Sequence, residues 1–386
     1  MRLRTTWWSF APGSSPLPSS AEYLDRALRL AARGRYRTSP NPMVGAVLVR
    51  HGEVVGEGYH RRVGGPHAEV EALARAGDEA RDSTLYVTLE PCSHRGRTPP
   101  CSDAVIAAGV RRVVACHRDP DRRVAGRGFE RLRAAGIAVE IGERAAAAVR
   151  LNLAFVTSCL LARPAVTLKW AMSLDGKIAT VSGDSQWISS PPSRRWSLDL
   201  RESHDAILVG SETALADDPR LTRRLGKADG PILRIVLDRR LRLPADRRML
   251  SEAGEVLIYT AAEAPEERRE SLRRAGARVV VLARPEVPEV LRDLHRRGVR
   301  SLLVEGGGEV AAAFLEAGLY DRVAVAVAPL LIGGRSAPGP LAGAGMDPLS
   351  SAPRLEDLTI RQRGPDRIIE GYRAECLPAL LSSVES

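Results

Sequence analysis

The residues best suited to chemistry in this 386-residue chain sit in two short stretches. In PHAEV, His67 and Glu69 stand one residue apart; in EPCSHRGRTPPC, Cys92 and Cys101 flank a polar loop that ends in two prolines. One imidazole and two thiolates form a donor set suited to Zn2+. Three protein ligands leave the fourth tetrahedral position to water, the arrangement of a catalytic zinc. Glu69, near the start of a helix, could take a proton from that water and hand it to a leaving amine without binding the metal. Cys92 follows a strand and Cys101 opens a helix whose dipole favours thiolate. Blander readings stand beside this one. A His-x-Glu on a helix is usually a surface pair, and a lone buried cysteine is usually core. A structural zinc would recruit a fourth protein ligand, for which His94 is the obvious candidate.

The second half contains no G-x-G-x-x-G, so a Rossmann fingerprint is not available. It carries instead LKWAMSLDGKIATVSGDSQWISS (168–190), VGSETALADDPRLTRR (209–224) and LLVEGGGEVAAAFL (302–315). A glycine run between a strand and a helix lets backbone N–H groups approach a phosphate at the helix N-terminus. By itself the run reads better as a tight turn. Arg239 and Arg240, just after the strand ILRIVLD, are candidates for clasping a phosphate. Surface arginines without function fit them equally well.

These residues need elements to hold them. Ser19 and Glu22 form a Ser-x-x-Glu capping box ahead of a helix that places Leu24, Ala27, Leu28 and Ala31 on one face. MVGAVLVRHGEVVGEGYH reads as a hairpin turning at His51-Gly52, and a helix follows from about His67 to a stop at Gly77. TLYVTL, VRRVVAC and IAVEIG read as strands separated by the helices SDAVIAAG and GFERLRAAG, which implies a βαβ sheet between helical layers. A helical stretch over 143–163 ends at Pro164, where the pattern restarts with AVTLKWAMSLDG. DAILVG, ILRIVLD, EVLIYT, RVVVLA, SLLVEGGG and RVAVAVAP then give a second α/β domain. The expected division is an extension at 1–18, a first domain at 19–163, a second at 164–376 and a tail at 377–386.

Composition sets the outer limits. Hydrophobic residues at 44% and charged residues at 27% belong to a globular protein, and no apolar run reaches the length of a membrane span. The net charge of +10 comes from 57 Lys+Arg, nearly all Arg, against 47 acids. Such a surface attracts anions, phosphorylated metabolites and dinucleotides included. Aromatics are only 4% and do not interleave with the arginines, so a base-stacking surface is poorly supported. Five cysteines, an odd and sparse set, argue for a reducing compartment, and a cytoplasmic location is expected. Cys116, Cys159 and Cys376 carry no signal.

With its residues in place, HAE followed by EPC…C resembles the zinc-dependent cytidine and nucleotide deaminase superfamily. The eight residues between the cysteines depart from the usual Pro-Cys-x-x-Cys spacing. That insert, SPNPMVGAVLV (39–49) and DPDRRVAGRG (119–128) resemble the pyrimidine deaminases of riboflavin biosynthesis. The resemblance implies that His67, Cys92 and Cys101 bind one Zn2+ and that Glu69 shuttles protons. It also implies that Asn41, His94, Arg97 and Asp119 line the substrate pocket, Arg97 facing a phosphate where a lysine is also found in the family. The three later segments resemble the dihydrofolate-reductase-like domain of the riboflavin-pathway reductases. Ala171, Trp187, Thr213, Asp217 and Gly306, Gly307 and Gly308 would then contact NADPH, and Arg239, with Arg240, could clasp the 2′-phosphate that distinguishes it from NADH. Ser185, Arg201, Leu221, Arg224 and Glu305 would hold substrate, Arg201 and Arg224 being apt for its phosphate, and Lys169 would be a catalytic or positioning group.

Both resemblances together cover about residues 21 to 375, in deaminase-then-reductase order. They imply a bifunctional α/β enzyme with a cytidine-deaminase-like three-layer domain and a dihydrofolate-reductase-like domain. Its substrate would be a phosphorylated pyrimidine ribosylamine, and a homo-oligomer without nucleic-acid or membrane partners is expected. The rival readings are a nucleic-acid base deaminase with an accessory binding domain, and a non-enzymatic protein with a structural zinc.

Overall fold

The computed structural model describes residues 19–94 and 99–385. The 1–18 extension and Arg97 lie outside the described residues. Helix α1 (Ser20–Ala31) begins with the expected reciprocal cap, in which the Ser19 hydroxyl accepts from the Glu22 N–H and the Glu22 carboxylate accepts from the Ser19 N–H. Strands β1 (Gly45–Arg50) and β2 (Glu53–Tyr59) form the hairpin. Its turn residues His51 and Gly52 both have positive φ, 52° and 83°, as the tightest hairpin turns demand. Next come α2 (Ala68–Ala76), β3 (Thr84–Val87), α3 (Cys101–Ala107), β4 (Arg112–Ala115), α4 (Arg127–Ala134) and β5 (Ala138–Ile141). The sheet order is β2-β1-β3-β4-β5, with β3, β4 and β5 parallel and β1 antiparallel to its neighbours.

Alternation along the strands explains the layering. Ala46, Leu48, Leu85, Val87 and Val113 face one side and bury the apolar residues of α2, α3 and α4. Val47, Val49, Tyr86 and Val114 face the other side and bury Tyr23, Leu24, Ala27 and Leu30 of α1. Each fully buried leucine of such a layer is worth ~1.5–3 kcal/mol relative to exposure.

The stretch expected to be helical over 143–163 is two helices, α5 (Ala145–Leu151) and α6 (Leu153–Leu161), broken at Asn152. The Asn152 amide accepts from the Met43 N–H at 2.7 Å and donates to the Met43 carbonyl at 2.9 Å. The break therefore pins the chain entering β1.

After Pro164 a second sheet begins. Its elements are β6 (Ala165–Ser173), α7 (Pro191–Glu202), β7 (Ala206–Gly210), α8 (Ser211–Asp217), β8 (Leu233–Leu237), α9 (Arg248–Ser251), β9 (Val256–Ala261) and α10 (Glu266–Arg274). The chain continues through β10 (Arg278–Leu282), α11 (Val287–Arg296), β11 (Ser301–Glu305), α12 (Gly308–Glu316), β12 (Arg322–Ala328), β13 (Leu355–Arg363), β14 (Asp366–Arg373) and α13 (Cys376–Glu385). The strand order is β10-β9-β8-β7-β11-β6-β12-β14-β13. Strands β7 to β10 step outward, whereas β11 returns between β7 and β6. The order reverses there, which is where open α/β sheets open a ligand crevice beyond their carboxyl ends.

Two departures from the sequence reading are structural. A hairpin, β13–β14, extends the sheet past the last expected strand. The segment 377–386, expected to be a tail, forms helix α13 over Cys376–Glu385. Leu377, Leu380 and Val384 bury against Val149, Leu153 and Val156 of α5 and α6, and the Arg118 N–H donates to the Val384 carbonyl at 3.2 Å. Burial of that apolar face stabilises a helix that local sequence alone does not announce. Among the described residues no helix is long and apolar enough to cross a membrane.

Candidate active sites

The carboxyl ends of β3 and β4 open onto a cavity of about 110 Å3. His67, the residue that caps α2, enters from one side, and Cys92 and Cys101 enter from the segment after β3 and the first turn of α3. The His67 Nδ1 lies 3.2 Å from Cys101 Sγ and 3.6 Å from Cys92 Sγ, and the Cys101 N–H points at Cys92 Sγ at 3.4 Å. A tetrahedral zinc with ordinary bond lengths separates N and S ligands by about 3.5 Å. The donor set and its spacing therefore fit Zn2+. His94 lines the cavity but stands outside the three-residue ligand cluster.

Electrostatics agrees with the geometry. The Cys101 thiol donates to the Cys92 sulfur, which draws Cys92 down to about 4 against its burial, with His67 and the Cys101 N–H adding to the effect. The same proton holds Cys101 well above its ordinary value. Glu69 is buried at 3% exposure, and its Oε2 has no hydrogen-bond partner among the described residues. Burial, helped by the Cys92 charge and opposed by His67, pushes its carboxyl up to about 7. A buried carboxyl with a free oxygen aimed into a cavity can hold or release a proton near neutrality.

Asn41 and Asp119 also line this cavity. The structure adds residues that the sequence reading passed over. His60 Nε2 accepts from the Asn41 side-chain amide at 3.2 Å, and its Nδ1 donates to the Pro66 carbonyl at 3.0 Å. Its ring stands edge-on to His67, with centroids 5.4 Å apart. Glu90 fixes the segment that carries Asp119. Its Oε2 accepts from the N–H groups of Asp119 and Gly126 at 3.0 and 2.9 Å, and its Oε1 from those of Gly128 and Phe129 at 2.8 and 3.4 Å. Burial pushes the Asp119 carboxyl up to about 7, against the N–H it receives from Asp121. Glu90 opens the EPC stretch, but its partners lie 29–39 residues away and leave no mark beside it in the sequence.

A second constellation gathers at the carboxyl edge of the larger sheet. Parallel pairing of β11 with β6 sets Glu305 beside Lys169. Arg201, from the last turn of α7, donates to Glu305 through Nη2 at 2.7 Å and Nε at 3.2 Å, and the Ser197 hydroxyl adds a bond at 3.2 Å. Burial alone would raise the Glu305 carboxyl, but Arg201 and Lys169 outweigh it and hold it at about 2. Burial lowers Lys169, with Glu305 opposing and Arg201 assisting. Arg201 is thus paired with a carboxylate, whereas among the described residues the guanidinium of the exposed Arg224 meets the Thr222 hydroxyl alone, at 3.3 Å. Of the two arginines read as partners of the reductase substrate's phosphate, Arg201 sits in the crevice paired with Glu305 and Arg224 stands at the surface.

Beyond Glu305 the chain turns through Gly306 and Gly307, with φ of 92° and 85°, into α12. A Cβ at Gly306 would come within 3.1 Å of the Thr213 methyl, and one at Gly307 within 3.2 Å of the Thr213 hydroxyl. One at Gly308 would meet the Gly339 carbonyl at 3.1 Å. These contacts leave the bare backbone and the helix N-terminus facing the crevice, a cradle suited to a dinucleotide's phosphates. Ala171 lies near the end of β6, Thr213 and Asp217 lie on α8, and Ser185 and Trp187 lie in the loop after β6. Trp187 is exposed, with the Arg194 guanidinium 4.5 Å above its ring. Leu221 is buried with a positive φ of 52°. Arg239 and Arg240 are exposed just beyond β8, two strands from β11; the Arg239 carbonyl accepts from the Ala261 N–H and the Thr260 hydroxyl.

Comparison with known proteins accounts for both constellations. The cytidine and deoxycytidylate deaminase zinc-binding region matches residues 18–117, and the RibD C-terminal domain matches residues 164–369. The riboflavin biosynthesis protein RibD of Escherichia coli is 44% identical over 362 residues, 89% of this chain and 96% of its own. That of Aquifex aeolicus is 41% identical over 348 residues, 90% of this chain and 96% of its own. The solved structure of Acinetobacter baumannii RibD superposes with a TM-score of 0.82 at 35% identity, covering 92% of this chain and 99% of that one. A diaminohydroxyphosphoribosylaminopyrimidine deaminase/5-amino-6-(5-phosphoribosylamino)uracil reductase from Thermotoga maritima gives a TM-score of 0.81 at 35% identity with the same coverage. A zinc-binding deaminase region followed by a reductase domain, matched along nine-tenths of the chain, means that this protein belongs to the RibD family of bifunctional riboflavin-biosynthesis enzymes.

Proposed function

We propose that the first sheet deaminates a diaminopyrimidine ribosylamine 5′-phosphate and that the second then reduces the ribosyl group to ribityl with NADPH. Residues 19–163 would form the deaminase domain and 164–376 the reductase domain. The observation that carries the reading is the convergence of His67, Cys92 and Cys101 on one cavity, with Glu69 Oε2 beside them, unpartnered among the described residues.

His67 Nδ1 and the two sulfurs would hold Zn2+, which when bound makes water nucleophilic near neutral pH. Glu69 Oε2 accepts the proton of the attacking water and returns it to the departing amine, so that ammonia leaves and a carbonyl replaces the ring amine. Asn41, His60 and His94 orient the pyrimidine in the cavity, and Glu90 keeps Asp119 in its wall. Arg97 would meet the phosphate.

In the reductase, Gly306–Gly308 and Thr213 would cradle the NADPH phosphates, with Ala171, Trp187 and Asp217 along the cofactor and Arg239 at its 2′-phosphate. Bound NADPH supplies the hydride. The chain aligns donor and acceptor and excludes water. Glu305 and Lys169 face the ribosyl group, with Arg201 fixing the Glu305 carboxylate, while Ser185, Leu221 and Arg224 hold the remainder, Arg224 at the phosphate.

Chelation tests the division of labour. Ammonia release from the diaminopyrimidine substrate should vanish on zinc removal and return with Zn2+. NADPH consumption by the already deaminated product should be unaffected. Ammonia release that survives complete metal removal would overturn the assignment of the first site.

A further inference from the structure

The segment between α1 and the deaminase cavity reaches from that cavity to the second domain. At one end Asn41 lines the cavity. At the other, Arg35, Tyr36 and Arg37 form a turn, held by the Val63 N–H on the Arg37 carbonyl at 3.0 Å, that lies against the second domain. What it meets there is the loop after α8 that carries Leu221 and Arg224.

That loop is fastened twice. From its own domain, the buried Glu202 carboxylate accepts four of its backbone N–H groups: Arg224 and Leu225 at 3.0 and 2.8 Å, Lys227 and Ala228 both at 3.0 Å. Arg223 adds bonds to the carbonyls of Arg201 and His204, at 3.3 and 2.7 Å. The second fastening comes from the deaminase domain. The Tyr36 hydroxyl donates to Asp199 Oδ1 of α7 at 2.9 Å. Lys227 Nζ reaches both that oxygen, at 2.5 Å, and the Tyr36 hydroxyl, at 3.3 Å, and lies 4.9 Å from the ring centroid. Arg37 Nε donates to the Lys227 carbonyl at 3.2 Å and lies 3.5 Å from Asp229. Arg35 donates to the Ser203 hydroxyl at 3.2 Å.

We propose that Tyr36 and Arg37 are positioning residues for the reductase. The deaminase turn clamps the loop at Lys227–Asp229 and so fixes Arg224, three residues upstream, where it meets the substrate phosphate. This inference rests on the reading of Arg224 as the phosphate partner. A clamp of this kind makes reductase affinity for phosphorylated substrate depend on the deaminase domain, although no deaminase side chain enters the reductase site. The contacts are largely hydrogen bonds and half-exposed ion pairs, so each contributes modestly and their effect is on loop placement.

The full-length variants Tyr36→Phe and Arg37→Gln provide the test, with the deaminated substrate and its dephosphorylated form as two probes and NADPH oxidation as the readout. Each variant should raise KM for the phosphorylated probe about fivefold, the scale of one lost hydrogen bond, with kcat nearly unchanged. KM for the dephosphorylated probe should not move. Unchanged KM for both probes would overturn the clamp, and so would an equal rise for both, which is what general destabilisation produces. Arg224→Ala is the separate control. If it leaves the discrimination between the probes intact, the phosphate reading of Arg224 fails by itself, and the proposal with it.

Discussion

Glu305→Gln removes the carboxylate that Arg201 and Lys169 share in the crevice of the larger sheet. The ion pair with Arg201 is largely shielded, with side-chain exposures of 14% and 9%. Two routes give the size of the effect. The carboxyl moves from 4.5 to about 2 on folding; at ~1.4 kcal/mol per pKa unit this corresponds to about 3 kcal/mol. Breaking one partner out of a buried pair costs ~3–5 kcal/mol, because the other charge is left without compensation. The variant should therefore lose about 3 kcal/mol at pH 7, measured by urea unfolding of the full chain. The pH dependence has a definite sign. The folded pKa lies below the unfolded one, so the contribution is complete above pH 4.5 and decays as the pH falls toward 2, where the folded carboxylate takes its proton. The stability gap between parent and variant should close over that window. Lys169, deprived of the neighbour that favours its charged form, should titrate lower. Reductase activity should fall while ammonia release by the other domain persists. A gap below ~1 kcal/mol at pH 7, or one that does not change with pH, would refute the charge assignment.

Three further outcomes follow from the same geometry. Glu69→Gln preserves shape but removes the proton carrier, so ammonia release should drop ~10^2–10^4-fold while zinc content, measured by elemental analysis, stays at the parent level. Gly307→Val places a side chain at a φ of 85°, against the Thr213 hydroxyl; KM for NADPH should rise at least about tenfold in steady-state kinetics, with deamination unaffected. Glu90→Gln leaves one oxygen to serve four backbone N–H groups and turns an amide N–H toward two of them. Chemical unfolding should show a loss of roughly 2–4 kcal/mol, and KM of the deaminase should rise as Asp119 loses its anchor.

Legibility in the sequence followed physical type. His67, Cys92 and Cys101 could be read because their chemistry is rare and they stand where the chain changes direction, at a helix start and beside prolines. Strands with an apolar face toward a helix layer, such as β1 and β4, announced themselves by composition. Strand β13 did not. Leu358 and Ile360 are exposed at 57% and 67%, and every residue after its first is exposed, so no alternation marks it. Helix α13 follows from the surface it covers rather than from its own ten residues. Pro378 in its first turn resembles a chain end in sequence, yet is compatible with a helix start. The residues that hold loops in place, Glu90, Glu202 and Asn152, were invisible for a different reason. Their partners are main-chain N–H and C=O groups from 22 to 109 residues away, which leave no side-chain pattern to find. Arg201 illustrates the converse. Its type suited a phosphate, and the fold brings Glu305 to it from 104 residues away, a pairing that no local pattern announces.

The central claim is that two chemistries act in sequence on one substrate. It is tested most directly by mass spectrometry of the products formed from the diaminopyrimidine ribosylamine 5′-phosphate by the zinc-loaded protein, with and without NADPH. The account predicts the deaminated product alone without NADPH, and a form heavier by two hydrogens when NADPH is present. Substrate recovered unchanged from both reactions would contradict it.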